Sequence, residues 1–192
     1  MKVIITTLLV ALLASFPVRA AWELDAEKSA LTFVSTKATN IAEVHRFTDL
    51  SGAMDGEGEV TIKIGLGSVD TGIEIRDDRM RDMLFDTGHY ENATLVADVD
   101  LERLDELGLG QSMELTIEGI LSLHGESATL NIEVIVARLS SSTLLVTSKR
   151  LVVVNALAFK LAEGVEALRK IAGLPSISLA VPVSFVLEFE AS

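Results

Sequence analysis

Three histidines, His45, His89 and His124, are the residues best suited by type to hold a metal or relay a proton. Their spacing supports neither role. No two stand in an H-x-H or H-E-x-x-H pattern that would put both imidazoles on one face of a strand or helix. The acidic stretch Asp55-Gly56-Glu57-Gly58-Glu59 starts like a calcium loop. An EF-hand needs a bidentate Glu at its twelfth position, and Leu66 stands there, so a solvated turn is expected. Gly65-Leu66-Gly67-Ser68-Val69 contains a serine near glycines, but the glycines are at the wrong offsets for a nucleophile elbow. Neither a Walker A loop nor a G-x-G-x-x-G loop is present. The chain has no Cys, which excludes thiol catalysis, Fe–S clusters, Cys-ligated zinc and disulfides. Asn92-Ala93-Thr94 fits a glycosylation acceptor, a triplet that also arises by chance. The cluster Arg76, Asp77, Asp78, Arg79, Arg81 and Asp82 has two readings: an internally paired, solvated helix face, or a polar anchor for a ligand headgroup. These residues imply no catalytic set, no metal site and no cofactor.

The elements around these residues are mostly strands. Met113, Leu115, Ile117 and Leu121 alternate with Glu114, Thr116 and Glu118. Leu130, Ile132, Val134 and Val136 alternate with Thr129, Asn131 and Glu133. Val60–Leu66, Leu95–Leu101 and Val181–Phe189 repeat the pattern. Period two with one apolar face marks half-buried antiparallel strands. Weaker strands are expected at Trp22–Leu24, Leu31–Ser35, Phe47–Met54 and Thr143–Val154. The total is about eight or nine, joined mostly by Gly- and Ser-rich turns. Two helices interrupt them. One spans 76–84, with Met80, Met83 and Leu84 at i, i+3 and i+4, and with Asp77 and Arg81 on its polar side. The other spans roughly Ala158–Ala172, with Leu161, Val165, Leu168 and Ala172 as its stripe and Gly173 and Pro175 as its stop. So many strands with one apolar face must close, and an eight-stranded antiparallel β-barrel does so without leaving edges. A two-sheet sandwich is the alternative.

Composition assigns the class. The 192 residues carry 16 Lys+Arg against 28 Asp+Glu, and 49% are hydrophobic although only 5% are aromatic. Such a chain folds rather than staying disordered, and its acidity argues against nucleic acid as a partner. Lys2, the apolar run Val3–Phe16, Pro17 and a cut after Ala20 form a secretory signal-peptide pattern. The run is shorter than the roughly 20 residues that span a bilayer. Removing residues 1–20 takes Lys2 and Arg19, leaving 14 basic against 28 acidic residues, a charge of −14. Residues 21–192 read as one domain, periplasmic or secreted, with no transmembrane segment in the mature chain. Val96, Ile120, Ile135 and Val186 sit on otherwise polar faces, as scattered surface aliphatics or as a homodimer seam.

An eight-stranded barrel is just wide enough to be filled by side chains or to hold one slim ligand. The inward set is Phe33, Phe47, Leu95, Met113, Leu115, Ile117, Ile132, Val134, Val183, Phe185 and Leu187, with Met80, Met83 and Phe85 closing one end. An aliphatic, Met-containing lining suits a long, adaptable apolar guest.

Ser68-Val69-Asp70-Thr71-Gly72, Arg76-Asp77-Asp78-Arg79-Met80-Arg81, Phe85-Asp86 and Tyr90 together resemble the central signature of the YceI-like polyisoprenoid-binding family. Trp22-Glu23-Leu24-Asp25, Gly119–Gly125, and Asn155 through Phe185 are similar to that family's start, middle strand and end. The resemblance covers essentially the whole mature chain. It implies an eight-stranded lipocalin-like barrel, export, and non-enzymatic binding of an isoprenoid or other long-chain lipid. The chain departs from the family at Arg79, often His there, at Glu91-Asn92, where Pro is usual, and at Lys160, where Gly is common. Two other functions remain compatible with the residues: a filled barrel acting as an interaction or stress-protection module, and an enzyme using an inward histidine or carboxylate on an apolar substrate.

Overall fold

The computed structural model describes residues 22–192. The signal-peptide reading of residues 1–20 lies outside the described residues. The strands are β1 (Trp22–Lys37), β2 (Ile41–Phe47), β3 (Leu50–Met54), β4 (Glu59–Gly65), β5 (Val69–Asp70), β6 (Asn92–Asp98), β7 (Ser112–Leu123), β8 (Glu126–Ser140), β9 (Thr143–Ser148), β10 (Val152–Asn155) and β11 (Ala180–Ala191). The ladders run β1-β3-β4-β6-β7-β8-β9-β11, and β11 pairs back to β1, which closes an eight-stranded antiparallel barrel. Closure leaves this ring no free edge except along the first half of β8, which pairs with β7 alone before Val134.

At one end the ring is extended by strands that continue their neighbours after a break. β1 pairs with β3 at Trp22–Glu23 and with β2 from Leu31 to Lys37, so β2 and β3 are two parts of one bent wall. Likewise β10 continues β9 along β11, with Val152 opposite Val183. The expected strands Phe47–Met54 and Thr143–Val154 are each split by these breaks, whereas the two expected strands in 22–35 join into β1 across a register shift between Asp25 and Ala30. Ser68 serves one of the breaks. Its hydroxyl donates to the Gly65 carbonyl at 2.7 Å and accepts the Thr48 and Asp49 amides at 3.1 and 2.9 Å. That serine staples the bend. The hairpin β7–β8 turns through His124 and Gly125, with φ of 51° and 77°. A two-residue turn with both φ positive matches the twist of the strands, and Gly125 adopts it at no steric cost.

Helices close the two ends. Leu101 was expected to extend β6, but it opens helix α2 (Leu101–Asp105) instead. Asp100 is the cause: its carboxylate accepts the amides of Glu102 and Arg103 and caps the helix. The Arg138 guanidinium then ties α2 to the barrel, donating to the carbonyls of Leu107 and Leu104 at 2.7 and 2.8 Å while lying 5.8 Å from the Trp22 ring centre. At the other end, α1 (Glu74–Arg79) runs into a π-helical turn, Met80–Phe85. A 3-10 turn, Ala156–Phe159, leads into α3 (Ala162–Ile171), so the expected helix 158–172 starts later than its apolar pattern suggests. Asn155 does help initiate this segment, accepting the Leu157 amide at 3.0 Å, although the element it caps is the 3-10 turn. α3 packs on the π turn through Gly164. A Cβ there would stand 2.6 Å from the Met83 carbonyl oxygen and 2.8 Å from Leu84 Cα. Glycine costs an exposed helix about 1 kcal/mol relative to Ala, and here it allows two helices to meet.

The four outward aliphatics lie as two pairs on the barrel wall. Val96 pairs with Ile120, while Ile135 and Val186 flank Thr147. Ile135 stands six residues along β8 from Thr129, the partner of Ile120, roughly 20 Å at about 3.3 Å per residue.

Candidate functional site

The barrel interior holds two neighbouring apolar chambers that share bordering residues. The wide one, of about 200 Å³, lies at the end covered by the π turn and α3. The narrow one, of about 80 Å³, lies toward α2. Only apolar side chains line both of them among the described residues. Alternation explains this composition: β-strands present every second residue inward, and those positions carry aliphatic residues on β4, β6, β7 and β8 and aliphatic or Phe residues on β11.

The anticipated lining residues distribute as follows. Phe33, Phe47, Met80, Phe85 and Val183 border the wide chamber. Leu115, Ile117 and Val134 border the narrow one. Leu95, Ile132, Phe185 and Leu187 touch both. Two residues fall elsewhere. Met113 packs against the core beside the narrow chamber without bordering it. Met83 lies on the surface, 38% exposed. The π turn accounts for Met83, since its i→i+5 register brings Leu84 and Phe85 under Met80 and rotates the i+3 position outward. Leu161 and Val165 of α3, together with Val154 and Val181, also line the wide chamber. Their apolar spacing is visible in the sequence, but spacing does not say which apolar face borders a void.

A polar cluster sits beside the wide chamber, where Arg76 of α1 reaches Glu43 of β2. Arg76 donates from Nε to the Thr71 hydroxyl at 2.7 Å, from Nη1 to Glu43 at 2.8 Å and from Nη2 to the Thr71 carbonyl at 2.7 Å. Glu43 also pairs with Lys37 at 2.8 Å. Asp77 is buried and accepts both the amide and the hydroxyl of Thr71. The expected Asp77–Arg81 pairing is therefore replaced: Arg81 pairs with Asp78 at 2.7 Å, and Asp77 turns inward. The cluster divides, with Arg76 and Asp77 fixing the loop at Thr71 and Arg81 and Asp78 paired on the surface.

His45 is 4% exposed and belongs to this cluster. It stands on the same face of β2 as Phe47, and its ring centre lies 5.2 Å from that of Phe33. Nε2 is 2.8 Å from the Ser35 hydroxyl, and Nδ1 has no partner. A Ser–His contact without an acid on the second ring nitrogen lacks the orienting member of a triad. Burial, followed by the nearby positive charge of Arg76, holds the His45 pKa below its ordinary 6.5. Unfolding exposes a histidine that binds a proton near pH 6.5, so the His45 contribution is complete above that pH and is lost as pH falls toward its folded value. The paired carboxylates, such as Glu43, are held below 4.5 and lose their contribution only at lower pH. His89 is exposed, with Nδ1 2.9 Å from Asp86; its pKa is raised by that carboxylate, and its pH dependence has the opposite sign. Urea unfolding of wild type against His45→Gln should therefore show a destabilising slope as pH falls below about 6.5 that the variant lacks. Equal slopes in both proteins would remove His45 from this account.

Among the described residues, the remaining polar groups do not converge on a site. His124 lies in the β7–β8 turn against Tyr90, with ring centres 4.5 Å apart. Asp25, Glu188 and Glu190 come close enough to share a cation. Lys28 fills that role, with Nζ at 3.0, 2.8 and 2.9 Å from the three.

A closed eight-stranded barrel with helices at both ends and an apolar interior matches the sequence signature in the wall and the lid alike, and residues 22–189 match the YceI-like domain. The chain belongs to the YceI-like domain family. A polyisoprenoid-binding domain from Saccharophagus degradans has the same fold, with a TM-score of 0.89 and 41% identity over 91% of this chain and 100% of that one. BcnA of Burkholderia cenocepacia superposes with a TM-score of 0.66 at 22% identity, covering 86% of this chain and 98% of its own. The YceI protein of Campylobacter jejuni gives 0.57 at 13% identity, with 77% and 84% covered. The latter two share the fold. No curated protein matches the sequence. The departure at Lys160 now has a structural meaning: its φ is 54°, the left-handed region glycine favours. Its ammonium pairs with Glu126 on the neighbouring turn, a contact glycine could not make.

Proposed function

We propose that this YceI-like protein is an exported, non-enzymatic lipid-binding protein that holds an isoprenoid or similar long-chain amphipathic lipid in the barrel. The observation that carries this reading is the wide chamber of about 200 Å³, bordered by apolar side chains alone. An apolar void of about 150 Å³ stays dry and takes up a benzene-sized guest, and each Å² of apolar surface removed from water contributes about 25 cal/mol before ordering costs. The polyisoprenoid-binding relative at 41% identity supports the ligand class. The signal-peptide pattern at residues 1–20 supports export to the periplasm or beyond. Polar atoms beside the wide chamber, in the Arg76 and His45 cluster, suit the headgroup end of an amphipathic guest.

Protein purified from its own secretory compartment should release a prenyl lipid on organic extraction, detected by mass spectrometry. The extracted protein should bind farnesol again in native mass spectrometry. Ligand-free protein that also takes up no prenol would overturn the reading.

A further inference from the structure

We propose that Phe185 and Leu95 form a neck between the two chambers and set the length of lipid tail that the barrel accepts, an inference that rests on the lipid-binding reading above. Both residues border the wide and the narrow chamber. They project from β11 and β6, which are four strands apart in either direction round the ring. Their side chains thus face the interior from opposite walls. Ile62 and Ile132, both buried, border the two chambers between them. Phe185 and Leu95 are themselves only partly buried, because each faces open space.

The two chambers differ in what they can hold. The narrow one is apolar throughout and is closed at its far end by Leu104 of α2. Arg138 fixes α2 there through the carbonyls of Leu104 and Leu107. The polar cluster of Arg76, Asp77 and His45 lies at the opposite end, beside the wide chamber. A lipid therefore enters tail first and leaves its headgroup near α1. A short tail is accommodated in the wide chamber. A longer one must pass between Phe185 and Leu95 to bury its last units, or leave them in water.

Geraniol, farnesol and geranylgeraniol, which differ by one isoprene unit each, test this by calorimetric titration. Wild type should bind geranylgeraniol at least about tenfold more tightly than geraniol, since each buried methylene adds to affinity. Leu115→Trp places an indole in the narrow chamber and should reduce that ratio by about tenfold or more. Val146→Phe fills the same chamber from β9 and provides the comparison where the first variant folds poorly. Phe185→Ala should speed the association of geranylgeraniol more than that of geraniol. A ratio unchanged in both filled variants overturns the neck. Wild type that binds all three prenols equally overturns the neck while leaving the lipid-binding reading intact, and wild type that binds none overturns both.

Discussion

Phe159→Ala should cost about 3–5 kcal/mol of unfolding free energy, the range for removing a fully buried phenyl ring. Phe159 is 1% exposed, among the most buried side chains of the described residues. Its position explains the size of the effect. β8 has a second ladder partner only from Val134 onward, so its first half presents an unpaired edge beside β7. The 3-10 turn Ala156–Phe159 packs on β8 there, where β10 has diverged from it. Phe159 shares a core cluster with Phe33, Leu66, Met80, Phe85 and Leu161. Removing the ring opens a void between β8 and the lid helix, where the surrounding residues come from separate elements and cannot all collapse inward. A domain this size has roughly 5–15 kcal/mol in total, so the urea midpoint should fall by a large fraction of its value. A loss below about 1 kcal/mol would mean that the turn is not needed to hold β8 and the lid together.

The strands were legible in the sequence because period-two alternation is a local property. Met113 through Leu121 shows its apolar face whatever it packs against, and β7 lies where that pattern puts it. Leu101 continues the same alternation and yet starts a helix, because one capping carboxylate at Asp100 outweighs one more apolar position. Met83 was misplaced for a geometric reason: spacing of i, i+3 assumes an α-helix, and the chain there has a π turn. The Thr71 loop was opaque as well. Asp77 reads as half of an i, i+4 surface pair, and only the tertiary structure offers it Thr71 instead. His45 reads as one histidine among three, since nothing local marks it as the buried one. The void is the least legible feature of all. Alternation identifies Leu95, Val183 and Phe185 as inward, but whether inward side chains meet or leave a space depends on strand tilt and barrel radius, which no single strand encodes.

Val183→Trp separates a hollow barrel from a filled one, and farnesol affinity should fall by about a hundredfold or more while stability changes by less than about 1 kcal/mol. Val183 stands on β11 between Phe33 on β1 and Val152 on β10, and its side chain borders the wide chamber. It is only partly buried although it faces inward, because its neighbour on that side is space. An indole at this position extends into a chamber of about 200 Å³ and gains contacts that the valine lacks. It also occupies the volume that a prenyl chain would need. In a packed core the same change forces neighbours off their rotamers and costs about 1–3 kcal/mol or more. Urea unfolding and farnesol titration on one variant therefore read the two properties separately. A strong loss of stability would mean that the barrel closes on itself in solution and acts through its outer surface. Retained stability with retained farnesol affinity would move the lipid out of the wide chamber. Retained stability with lost affinity is the combination that only an open, ligand-holding interior produces.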